Sequence, residues 1–92
     1  MNFDWRTIGD SGRPVRLFYE SREVARLCAR LNGTWYAALN QHLPYTDPDR
    51  RDVGVRSYEA GKAQLESWLV REEKRIAAEM VSWLAAKGRD RA

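Results

Sequence analysis

The stretch from Ser57 to about Lys87 constrains the fold more than any other part of this chain, because nothing in it breaks a helix except Gly61 in the first turn. At about 100° per residue, Tyr58, Leu65, Leu69, Ile76, Met80 and Trp83 share a stripe about 60° wide, flanked by Trp68 and Leu84. Ser57 supplies a capping oxygen, and Glu59 puts an acid near the positive helix end. Such a helix is about 45 Å long. A compact domain of this length has a radius of gyration near ~12 Å, hence a diameter of roughly 32 Å. About two turns should therefore project past the core. The projecting end carries Met80, Val81, Trp83 and Leu84, an apolar patch of the kind that marks an interaction surface. The expectation is docking on a partner helix, as a homodimer or against another protein. The alternative is a helix lying diagonally across a sheet, with these residues in its own core.

The helix needs something to pack on, and the first half of the chain supplies it. Residues 3–8 alternate Phe3, Trp5 and Thr7 against Asp4 and Arg6, and Val15–Tyr19 alternates in the same way. The turn formers of 9–14 join them into a hairpin. Ser21 reads as a second cap, followed by a helix over 22–31 with Val24, Leu27, Cys28 and Leu31 on one face and Asn32–Gly33 as its stop. Residues 34–39 read as a strand with Trp35, Ala37 and Leu39 inward. Residues 40–52 read as a polar loop with two prolines, and 53–56 as a short further strand. The fold expected is α+β: an N-terminal β-hairpin, a short helix, one or two further strands, and a long C-terminal amphipathic helix packed on the sheet. It occupies 1–88 as a single small domain, with 89–92 a frayed tail. The alternative is an all-α chain with 34–43 helical.

With 92 residues, 43% of them hydrophobic and 11% aromatic, the chain can build one core and bury roughly 60–65% of its unfolded surface. No apolar run approaches the ~20 residues that cross a bilayer, and the N-terminus lacks the pattern of a secretory signal. Cys28 is the one cysteine, which excludes an internal disulfide and fits a reducing, cytoplasmic setting. The formal charge of +3 is mildly basic, and arginine supplies most of the cations.

Few residues carry a chemical pattern. Arg22, Arg26 and Arg30 recur at i, i+4, i+8 on the face opposite Val24, Leu27 and Leu31. Uninterrupted by acid, this row suits a phosphate backbone or an acidic protein surface. Arg50, Arg51 and Arg56 extend the basic face. His42 stands alone among Asp47, Asp49 and Asp52 and reads as solvated, since no metal-ligand spacing surrounds it. Cys28 reads as inward and inert. Glu72 falls inside the apolar stripe, where it is expected to bond an arginine or a tryptophan N–H. GDSGRPV at 9–15 resembles the nucleophile signature of chymotrypsin-like proteases but departs at Arg13. His42 follows Ser11 where that family requires it to precede, so Ser11 is read as a turn residue. A helix-turn-helix over 21–43 fails on the position of Gly33.

No nucleophile–base pair and no metal cluster appears, so neither catalysis nor a cofactor is expected. The leading expectation is a non-catalytic interaction protein docking on a protein or nucleoprotein partner. In its size and lack of motifs the chain resembles the accessory proteins of phages and mobile elements, anti-CRISPR inhibitors among them. Since members that mimic DNA are acidic and this chain is basic, that resemblance implies docking on protein or nucleoprotein. The alternatives are direct nucleic-acid binding through the arginine face and, last, a small enzyme of unknown reaction.

Overall fold

A computed structural model describes residues 2–9 and 12–89, with side chains as far as Ser82. Among the described residues five strands precede one helix: β1 (Phe3–Arg6), β2 (Arg16–Tyr19), β3 (Arg22–Ala29), β4 (Trp35–Leu39), β5 (Arg51–Val55) and α1 (Tyr58–Arg89). The strands form an antiparallel meander in the order β1-β2-β3-β4-β5, and α1 packs on one face of it. The fold is α+β, as the pattern of elements implies.

The short helix expected over 22–31 does not exist; this segment is β3, the central strand. Two local features disguise it. Glu20 and Ser21 both take positive φ, 50° and 66°, and close a two-residue hairpin in which Tyr19 faces Arg22. Turns of this kind usually carry Asn-Gly or Asp-Gly, so Ser21 looked like a helix cap. A bulge follows: Leu17 faces Ala25 while Phe18 faces Glu23, leaving Val24 as an extra residue. Val24 and Ala25 both turn into the core, each 0% exposed, which breaks the alternation that marks a strand. Pairing on both sides then overrides the helical propensity of Arg, Glu, Ala and Leu. Leu31, expected on the buried face, lies fully exposed in the turn before β4.

The other strands follow the sequence closely. Trp35–Leu39 pairs with both β3 and β5, and β5 begins at Arg51, inside the segment read as loop. Ser57 caps α1 by accepting the Ala60 N–H at 3.1 Å. Tyr58, Leu65, Leu69, Ile76 and Met80 are buried against Leu17, Val24, Leu27, Ala37 and Leu39, with Trp68 beside them. The Cα radius of gyration is 14.0 Å, above the ~12 Å of a compact chain this long, because the helix spans the long axis of the molecule.

Gly61 fixes how closely helix and sheet approach. A Cβ there would lie 2.7 Å from Leu27 Cδ2 and 2.9 Å from Val55 Cγ2. From this contact α1 runs toward the Asn40–His42 end of the sheet. Trp5 Nε1 of β1 donates to Glu66 at 3.2 Å on one flank, and β5 is left beyond the other.

Candidate docking cleft

Because α1 lies over the middle of the sheet, a cleft of about 490 Å³ opens between it and β5. Its floor is Ala37 and Leu39 of β4, one wall is Val53 and Val55 of β5, and the other is Ala63, Gln64, Leu65, Ser67, Trp68 and Arg71 of α1. That volume falls in the ~300–1,000 Å³ range of ligand-sized sites. β5 is an edge strand exposed over most of its length, and Val53 keeps 41% of its surface in water. An apolar cleft thus runs beside a sheet edge that has no strand on its outer side among the described residues.

Both signs occur along this helix, and Lys62 lies 5.4 Å from the centre of the Trp5 ring that Glu66 also meets. Glu59, Glu66 and Glu73 recur every seventh residue, on the flank whose Glu66 meets Trp5 of β1. The flank lining the cleft carries Gln64 and Arg71. Arg51 opens β5 and Arg56 follows it, both exposed. Arginine therefore stands near both ends of the cleft, with Asp49, Glu72 and Arg75 beside Arg51 at one of them.

The opposite face of the sheet has no layer over it among the described residues. The register places Arg6 beside Arg16 and Arg16 beside Arg26, a row of three guanidinium groups across β1, β2 and β3. Like charges directly opposite one another destabilise a sheet, and two devices offset this. Glu23 accepts from both Arg16 and Arg26, while Asp4 accepts from Arg6 at 2.7 Å. The guanidinium groups of Arg6 and Arg16 also stack on the Phe18 ring, at 3.9 Å and 5.0 Å from its centre, so Phe18 is only 8% exposed on this bare face. Arg30 lies 4.7 Å from the Tyr36 ring centre.

The arginine row read from the sequence is thus dispersed. Arg26 and Arg30 lie on the bare face, but Arg22, on the other side of the bulge, turns toward the helix layer and donates to the His42 carbonyl at 3.3 Å. Arg50 donates to Gln41 and lies over Tyr45 in the loop before β5. Cys28, expected inward, is half-buried on the bare face opposite Tyr36. Of the apolar end expected to project, Met80 is core at 6% exposure, whereas Val81 is 68% exposed. The side chains of Trp83 and Leu84 lie outside the described residues, as do Ser11 and residues 90–92.

His42 is not solvated. It is 2% exposed, and its Nε2 lies 2.8 Å from Glu79 Oε1. Arg75 organises the surroundings, donating to Glu79 at 2.7 Å, to Glu72 at 3.1 Å and to Asn40 Oδ1 at 3.1 Å. Burial pushes the His42 imidazole below its ordinary value, the Arg75 and Arg22 charges act in the same direction, and Glu79 opposes them. The neutral ring then donates from Nε2 to the carboxylate, leaving Nδ1 buried without a hydrogen-bond partner. The network ties α1 to the segment after β4. Nothing in its bonding pairs the imidazole with a nucleophile. Among the described residues no group of three His, Cys, Asp or Glu side chains could hold a metal ion, and no helix is long and apolar enough to cross a membrane.

No protein-family model matches the chain, and neither a curated protein nor a solved structure matches it.

Sequence reasoning missed the cleft, and of the network it found only that Glu72 bonds an arginine, which is Arg75. The pairing of His42 with Glu79, 37 residues apart, had no local signal at all.

Proposed function

We propose that this protein is a non-catalytic interaction module that docks on a polypeptide partner, alone or within a nucleoprotein, through the cleft between β5 and α1. The observation carrying this reading is the apolar cleft of about 490 Å³ lying open along a sheet edge that pairs with no further strand among the described residues. A fold of this size has few apolar side chains to spare, and an exposed apolar concavity rimmed by charge is the usual form of a binding site. The helix end takes a smaller part than the sequence implied, since Met80 is committed to the core.

The test is a peptide-display selection against the protein, with binding of the enriched peptides compared on wild type and Val53→Asp. Val53 is an exposed edge residue, so the substitution alters the cleft wall without removing core. Enriched peptides should bind at least about tenfold more weakly to the variant, which corresponds to about 1.4 kcal/mol. Enrichment of nothing, or of peptides indifferent to the substitution, contradicts the reading.

One observation favours a second reading, in which the bare face binds nucleic acid: the cross-strand row Arg6–Arg16–Arg26 places like charges side by side at a cost in stability. Binding through it would weaken steeply with salt and would fall on substitution of Arg16. Binding indifferent to both rejects it.

A further inference from the structure

We infer that the cleft takes its partner as an extended segment added to β5 as a sixth strand, with apolar residues at alternate positions and acidic residues at both ends. This rests on the docking reading above and specifies the form and chemistry of the partner.

The phase of the sheet's hydrogen bonding shows what the edge offers. Arg30 N–H donates to the Thr34 carbonyl at 2.8 Å, and Leu27 N–H, one strand face earlier, donates to Val15 at 2.8 Å. Even-numbered residues of β3 and β4 therefore bond to one another, so the odd-numbered residues of β4 bond to β5. In β5 this occupies Arg51, Val53 and Val55, which face Leu39, Ala37 and Trp35. The N–H and C=O groups of Asp52 and Gly54 consequently point away from the sheet, and they are what an added strand would bond to.

Strand addition supplies the inward side chains as well. Successive residues of a strand point to opposite faces. Every second residue of the added segment would thus enter the cleft over Val53, with Leu39 and Trp68 as its apolar floor and far wall. Backbone bonds then give affinity and the alternate side chains give selectivity. The charge near the rim chooses the ends: Arg51 and Arg71 at one, Arg56 after β5 at the other, while Glu72, which lies beside Arg51, is engaged by Arg75 at 3.1 Å.

The test uses the whole protein and varies the peptide, so that misfolding of a variant cannot confuse the result. The probe is a fluorescent, end-blocked peptide Glu-Asp-Val-Thr-Val-Thr-Val-Asp-Glu, measured by polarisation, with amide exchange of the protein followed by NMR. It should bind saturably, slow exchange at Asp52 and Gly54 by at least about tenfold, and lose at least about tenfold in affinity when its alternate amides are N-methylated or its acids become lysines. Equal binding of the N-methylated peptide, with display-selected peptides still losing affinity on Val53→Asp, overturns strand addition and leaves the docking reading standing. Equal binding of the lysine peptide overturns the acidic partner. Binding by neither this probe nor any selected peptide overturns both readings. A protein that is dimeric alone, with Asp52 and Gly54 already protected, overturns an external partner in favour of a second copy.

Discussion

Alanine at Gly61 should destabilise this protein, against the ordinary effect of that substitution in a helix. In open helical positions Gly→Ala gains about 1 kcal/mol. Here the added methyl would stand 2.7 Å from Leu27 Cδ2, 2.9 Å from Val55 Cγ2 and 3.3 Å from Val55 Cβ, against an optimal carbon separation of about 3.5–4.0 Å. Leu27 can swing its terminal methyl aside, but Val55 is stiff at χ1 and is itself hydrogen-bonded into the sheet. Forced methyl groups in packed sites cost about 1–3 kcal/mol. Taking the middle of that range and subtracting the helical gain leaves a net loss of about 1 kcal/mol, or about 4–8 °C in Tm for a domain of this size. Reversible melting followed by circular dichroism measures it. Gly54→Ala is the internal control: with nothing within 4 Å and an ordinary backbone conformation, it should leave Tm unchanged or raise it slightly. A Tm for Gly61→Ala at or above wild type would refute the close approach of α1 to β3 and β5, and with it the wall of the cleft.

Three further substitutions or titrations follow from the polar contacts. His42 is held below its ordinary value near 6.5, so its contribution to stability is complete above that value and is lost as pH falls through the lower folded-state value. Melts between pH 8 and pH 5 should show Tm falling with acid below about 6.5, and His42→Gln should flatten that slope. Glu79→Ala strands both His42 Nε2 and Arg75 Nη1 and should cost about 2 kcal/mol, with less than additive effect when combined with His42→Ala. Tyr58→Phe removes the hydroxyl donating to the Pro14 carbonyl at 2.7 Å and should cost about 1 kcal/mol, read from urea unfolding.

The long helix was legible because its information is local: an unbroken run, a capping serine and a stripe that recurs every three or four residues all lie within one segment. The N-terminal hairpin was legible for the same reason. β3 was not, since its character comes from partners on either side. Its two departures from the usual pattern, positive φ at Glu20 and Ser21 and the bulge at Val24, each imitate a helix signal. The error carried over to the arginine row, because spacing at every fourth residue lines up one helix face but crosses sides at a bulge. Cys28 was misplaced by the same helix. The cleft depends on where α1 crosses the sheet, which Gly61 decides through Leu27 and Val55, residues 34 and 6 positions away in the chain. Sequence periodicity contains no such distance.

The central claim is that this fold binds through the cleft beside β5, and the most direct measurement is an NMR titration of the isotopically labelled protein with its display-selected peptide. The account predicts shift changes confined to Arg51–Val55, to Ala37 and Leu39 beneath them, and to Ala63–Arg71 of α1, with Trp68 Nε1–H among the largest. Changes centred on Arg6, Arg16 and Arg26 of the bare face, or on the helix beyond Met80, would contradict it.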